Sequence, residues 1–234
     1  MVQLGVFLVP PADNPFYRVV TGILGYDVWT GERRPSTLTG LLDDATLTRW
    51  IGEATKYGLH CTITGGAIDY DEADIGEITE RLAWIASRVP PFTLTAGRFY
   101  DEFWAVPVGL TGHFESADGG IHRLHRLAAT TISPLHTATY CGRPRDPNDA
   151  RARELFTRFG EAHALERFTP HWTLMSGLPD MDAYSAARDL IAEHTGLFSD
   201  DSTRTIEVRD VQLVQRHADG YCFVAASFPL TGRA

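Results

Sequence analysis

The sequence predicts an α+β fold built as two similar lobes related by a pseudo-two-fold, each an antiparallel sheet flanked by helices, with a cleft between them. Short alternating runs bounded by Gly, Pro and Asp read as strands, and segments of helical period separate them. The decisive observation is that one order of elements occurs twice: a strand carrying His-x-Thr, then a helix, then two strands. The motif histidines, His60 and His171, stand 111 residues apart in a chain of 234. Such fixed-order similarity shapes the whole fold expectation. It divides a single bilobal domain into a first lobe over 1–112 and a second over 147–234, joined by a helix and loop over 113–146.

Taken in order, "LGVFLVP" (4–10) reads as a buried strand, and "NPFYRVVTGILG" as a helix capped by Asn14 with Pro15 at its first position. "YDVWTGERRPSTLTG" is loop-like. "LDDATLTRWIGEATKYG" reads as one short helix with Leu47, Trp50, Ile51 and Ala54 on a shared face. The first motif strand, "YGLHCTIT", follows. In "DEADIGEITERLAWIASRV" the positions Ile75, Ile78, Leu82, Ile85 and Val89 keep the helical period. Acidic residues crowd its first turn, where the helix dipole favours them. "PFTLTAGRFY" and "FWAVPVGL" read as two strands turning near Asp101 and Glu102. Helices follow over "IHRLHRLAATTIS" and "ARARELFTRFGEAHA", with irregular chain between them. After the second motif strand, "FTPHWTLMSG", come the helix "DMDAYSAARDLIAEHTG" and the strands "RTIEVRDVQLVQR" and "YCFVAASFPL", joined by "HADG".

The composition, 44% hydrophobic and 22% charged, is that of a globular protein. The net charge of −9 argues against a long nucleic-acid partner, whose binding relies on clustered Lys and Arg. A small anionic substrate needs only a few local donors. Cys61, Cys141 and Cys222 are too few and too scattered for a disulfide framework or a zinc cluster. The first residues read as a strand meeting Pro10 and Pro11, not as a signal peptide, and no run approaches membrane-spanning length. A cytoplasmic setting is the expectation.

Side chains alternate along a strand, so His60 and Thr62 share a face, as do His171 and Thr173. Cys61 and Ile63 lie behind the first pair, Trp172 and Leu174 behind the second. Two imidazoles and two hydroxyls facing one cleft suit attack on a phosphoryl centre. One neutral histidine takes a proton from water, the other supplies one to the departing oxygen, and the threonines hold the non-bridging oxygens. No metal or cofactor is needed. With 9 His and 24 Thr, about one His-x-Thr is expected by chance, so the count alone decides nothing. The matched context of the two copies is what favours chemistry over two ordinary core histidines.

"PPADNP", "GILGYDVWTGE", "KYGLHCTI", "RARELFTRFGEAHALERFTPHWTL" and the closing "VQLVQR" and "FVAASFPL" carry a resemblance spread over nearly the whole chain. With the paired motifs, it resembles the 2H phosphoesterase superfamily, whose fold is LigT-like. The resemblance is closer to the DUF1045-type branch associated with phosphonate metabolism. It implies a phosphoesterase hydrolysing a small cyclic phosphate or phosphodiester, with His60 and His171 catalytic and Thr62 and Thr173 binding substrate. Tyr57 matches a tyrosine in the family's Tyr-Gly-x-His lead-in and would line the cleft. The sequence departs from the pattern twice: Thr64 stands where that branch tends to carry a lysine, and Met175, followed by Ser176, stands for a threonine-like residue. The first departure leaves the cleft short of a cation, which Arg143 in "CGRPRDP" could replace. Two other classes stay open: a binding protein for a phosphorylated or phosphonate metabolite, and a 2H fold redirected to non-phosphate acid–base chemistry.

His122 and His125 have a spacing two metal ligands could use, but no carboxylate or cysteine partner is evident and arginines interleave, so a solvated helix face is the simpler reading. "DYDEAD" (69–74) lacks the glycine and glutamate of a calcium loop and reads as a helix start. Gly22 and Gly25 are not followed by a phosphate-loop pattern. His113, His136, His163, His194 and His217 read as ordinary surface residues. Trp50, Trp84, Trp104 and Trp172 read as core.

Overall fold

In a computed structural model the described residues are 2–70, 74–99, 108–135, 146, 148–198 and 204–233. The chain runs β1 (Val2–Leu8), α1 (Pro15–Leu24), the short pair β2 (Tyr26–Asp27) and β3 (Glu32–Arg33), α2 (Asp44–Ile51), α3 (Ala54–Tyr57), β4 (Cys61–Tyr70) and α4 (Ile75–Ala86). It continues through β5 (Phe92–Phe99), β6 (Val108–Glu115), α5 (Gly120–Thr131), α6 (Ala150–Phe159), β7 (His171–Leu178), α7 (Met181–Thr195), β8 (Thr205–Val208), β9 (Asp210–Arg216) and β10 (Cys222–Pro229). The architecture is α+β, with two four-stranded antiparallel sheets in the orders β10-β9-β1-β4 and β7-β6-β5-β8.

Helices α1, α2, α6 and α7 start at side-chain caps. Asn14, Asp43, Asp149 and Asp180 each accept a hydrogen bond from the backbone N–H three residues on, satisfying a donor the helix leaves unpaired. Helices α4 and α5 pack on the first sheet, while α1 and α7 pack on the second. Phe16 of α1 meets the Trp172 ring edge-on at 4.9 Å, and one apolar core joins both sheets.

The sheets do not divide the chain at residues 112 and 147. Strands β5 and β6, which follow the first motif, join the sheet of the second motif. Strands β9 and β10, from the far end of the chain, complete the sheet of the first. The segment "RTIEVRDVQLVQR" is accordingly two strands, β8 in one sheet and β9 in the other, separated only by Arg209. Alternation reports which face of a strand is buried and carries no information about its partner. The single helix expected over 42–57 breaks into α2 and α3 at Gly52 (φ 55°, ψ −135°). Strand β6 lies later than expected, at Val108–Glu115; the expected turn at Asp101 and Glu102 falls outside the described residues, as do Trp104, His136 and Cys141. Trp50 and Trp172 are buried, but Trp84 is 46% exposed, with the Arg88 guanidinium 5.1 Å from its ring centre.

Candidate active site

Both motif strands are edges of their sheets, and they meet. Behind the histidines, the buried Cys61 thiol lies against the backbone of His171; burial pushes that thiol up to about 12, with the His171 backbone a smaller, opposing influence. In front, His171 lies close enough to the His60 imidazole to disfavour its charging.

The two rings are held alike. His60 Nδ1 donates to the carbonyl of Gly58 at 2.9 Å, and His171 Nδ1 donates to the carbonyl of Thr169 at 2.9 Å. A carbonyl can only accept, so Nδ1 carries the proton in each neutral ring and Nε2 is left for chemistry. Different local devices aim the two carbonyls. Gly58 sits at φ 66°, and a Cβ there would lie 2.9 Å from Val28 Cβ, so the position admits only glycine. Thr169 precedes Pro170, which favours an extended backbone at the residue before it.

The environments differ. His60 is half-buried, its ring stacked on Phe7 at 4.2 Å and on Tyr57 at 5.8 Å. Burial lowers its pKa to about 4; the Gly58 carbonyl opposes this, and the nearby His171 adds to it. His60 is therefore neutral at pH 7. His171 is exposed. Thr62 and Thr173 are half-buried, and Thr173 Oγ1 lies 3.3 Å from Thr111 Oγ1 on β6. Tyr57 flanks His60, with the Arg216 guanidinium 5.4 Å from its ring centre. Arg143 falls outside the described residues.

Thr64 and Met175, the two residues at odds with the resemblance, share one structural setting. Phe7 pairs with Thr62 but Val6 pairs with Thr64, so two residues of β4 span one of β1. On β7, Thr111 pairs with Thr173 but Leu110 pairs with Met175. Each motif strand thus bulges just after His-x-Thr, and the bulge turns the residue four past the histidine inward. Thr64 and Met175 are fully buried, Thr64 Oγ1 lying 2.7 Å from Ser133 Oγ. The Thr64 side chain is therefore packed inside and does not line the cleft. Ser176, next after Met175, accepts from Ala54 N–H (3.2 Å) and donates to the Ile51 carbonyl (3.1 Å), fixing the α2–α3 junction to β7.

Two histidines read from sequence as surface groups are otherwise placed. His125 is buried and bridges two segments: Nδ1 donates to the Ile63 carbonyl at 2.6 Å and Nε2 accepts from Leu165 N–H at 2.8 Å, with Phe168 stacked at 3.8 Å. Burial first, with smaller effects from its neighbours, lowers its pKa to about 4. It is a structural strut. Among the described residues no group of three His, Cys, Asp or Glu side chains could hold a metal ion. His113 lies directly opposite His171 in the β6–β7 ladder, as Thr111 lies opposite Thr173. The signal was present in "LTGHFE", where Thr111-Gly112-His113 is the motif read backwards. A separate cavity of about 350 Å³, lined by residues such as Pro10, Trp29, Phe114 and Gln212, includes none of the motif side chains. Among the described residues no helix is long and apolar enough to cross a membrane.

No known family's sequence profile matches the chain. A stretch of 184 residues, 77% of this chain, is 29% identical to the ribose 1,5-bisphosphate phosphokinase PhnN of Laribacter hongkongensis, and covers 42% of that longer protein. The fold is similar to the crystal structure of TT0787 of Thermus thermophilus, with a TM-score of 0.50, 14% identity, and 99% of this chain and 100% of the other covered.

Proposed function

We propose that the chain is a metal-independent phosphoesterase that hydrolyses a small cyclic phosphate or phosphodiester. The observation carrying this is the matched pair of imidazoles, each clamped at Nδ1 by the carbonyl two residues back and each followed at i+2 by a threonine. The likeness extends to the bulge after each motif, which supports a pseudo-two-fold relation between the motif strands and the 2H reading of the sequence. The relative's name speaks of a phosphorylated sugar, which suits a small phosphorylated substrate and a place in phosphonate metabolism.

In this reading the neutral His60 is the base. Its Nε2 takes a proton from water as the water oxygen bonds to phosphorus. His171, protonated, gives its Nε2 proton to the departing ring oxygen as that P–O bond breaks, leaving a phosphomonoester. The Thr62 and Thr173 hydroxyls donate to the non-bridging oxygens as charge builds there. Tyr57 and Phe7 hold the His60 ring in place. The test is turnover of nucleoside 2′,3′-cyclic phosphates by His60→Ala and His171→Ala. Each change is expected to cost about 10²–10⁴-fold in kcat with the thermal melt retained. Folded variants that match the unmodified protein would end the proposal.

A further inference from the structure

We propose that Thr111 and His113 of β6 form a second anion-holding pair, a subsite for a phosphate or other anionic group that the substrate carries beside the reacting diester. This rests on the phosphoesterase reading of the cleft and adds the class of substrate.

The argument is one of register. Opposite residues in an antiparallel pair share a face, with Cβ atoms about 4.5–5.5 Å apart. His113 opposite His171 and Thr111 opposite Thr173 therefore put two imidazoles and two hydroxyls on one patch of the second sheet. The Thr111 and Thr173 oxygens are 3.3 Å apart, so one can donate to the other and leave the second hydroxyl proton directed elsewhere. The alignment is pinned from behind. Gly112 lies opposite Trp172, and a Cβ on Gly112 would sit 2.6 Å from the indole Nε1 and Cε2. The indole thus occupies the space in which any side chain at 112 would stand, and Thr111 and His113 are left on the front.

The strands fix where this pair lies relative to the chemistry. β4 and β7 meet at the histidines, and β6 is the next strand beyond β7. Neighbouring strands are about 4.8 Å apart. A phosphorus held between His60 and His171 thus has His113 roughly one strand further along the second sheet. Gly97 on β5 lies beside His113, its ideal Cβ position 3.2 Å from the His113 carbonyl oxygen and 3.7 Å from its Cβ, so no side chain at position 97 covers His113 from that side. Glu115 is exposed further along β6 and lies near Gly97 as well. A substrate bearing only one phosphate would reach the first His–Thr pair alone. A substrate with a second anionic group about a sugar's width away would engage both pairs.

The experiment compares adenosine 2′,3′-cyclic phosphate with the same compound carrying an additional 5′-phosphate. The expected result is a kcat/KM ratio favouring the 5′-phosphorylated compound by about tenfold or more, as for a charge-assisted hydrogen bond. His113→Gln and Thr111→Val should each bring that ratio towards one, chiefly through KM. Calorimetric affinities of both compounds for the His60→Ala variant give the same ratio without catalysis. An absence of turnover in the unmodified protein then defeats the phosphoesterase reading, while the affinity ratio still judges the subsite. The subsite is overturned if the unmodified protein and the His60→Ala variant show no preference. It is equally overturned if both β6 variants keep the full preference, or if they lose turnover of both compounds alike.

Discussion

At the scale of the residue, the two catalytic candidates share a clamp and differ in surroundings. The His60 ring stacks with Phe7 and Tyr57, and His171 stands at an exposed strand start. With burial holding the His60 pKa near 4, the base form dominates well below neutrality. The profile of kcat/KM reports the free protein's ionisations, so its acid limb is expected near pH 4, with activity rising as pH climbs through that value. A limb near the ordinary imidazole value of about 6.5 would instead assign the base to a solvated ring. Substituting Phe7 by Leu opens one face of the pocket and should move the limb upward, since burial is the first cause of the depression. Sequence alternation was enough to place His60 with Thr62 and His171 with Thr173. Alternation does not extend to Thr64 and Met175, because both strands bulge between the threonine and those residues.

At the scale of the element, the second motif depends on how β6 and β7 are held together. The β6–β7 register is locked by Gly112 against Trp172, and the β7 edge is tied to the α2–α3 junction by Ser176. Gly112→Ala forces a methyl group into the indole and should cost about 1–3 kcal/mol in chemical denaturation. Because the ladder carries His171, turnover should fall further than the lost stability explains at temperatures where the variant is folded. Unchanged stability and activity would show that the register is set elsewhere. The sequence made α1 legible through its Asn14 cap and several other helices through their apolar period. It did not reveal the break at Gly52, which a docking contact rather than a propensity requires: a Cβ on Gly177 would come within 1.9 Å of the Arg49 carbonyl, so α2 ends flush against bare β7 backbone.

At the scale of the whole molecule, the succession of strands and helices was readable and the ownership of strands was not. His60 directly precedes β4 and His171 opens β7, but the first motif is followed by a helix and two strands and the second by a helix and three, because β8 and β9 divide what reads as one strand. Yet each sheet takes strands from both halves of the predicted division, since the pairing partner of a strand is a long-range choice that a local pattern does not encode. Pieces 1–117 and 118–234 should therefore fail to fold when made separately: the first lacks β7, β8, β9 and β10, and the second lacks β1, β4, β5 and β6. Mixed together they should recover sheet circular dichroism and a shared melting transition. A piece 1–117 that melts cooperatively alone would contradict the exchange. The net charge of −9 acts at this scale too, so association with an anionic substrate should be faster at higher salt, where the repulsion is screened.

The exchange of strands also governs when the molecule can come into being. Both histidine motifs have left the ribosome long before β10, at Cys222–Pro229, emerges to close the sheet behind the first of them. Until then β1 and β4 form half a sheet with an open flank on a nascent chain. Assembly therefore waits on the late strands: a premature stop before β9 that spares both motifs leaves β1 with an unpaired edge.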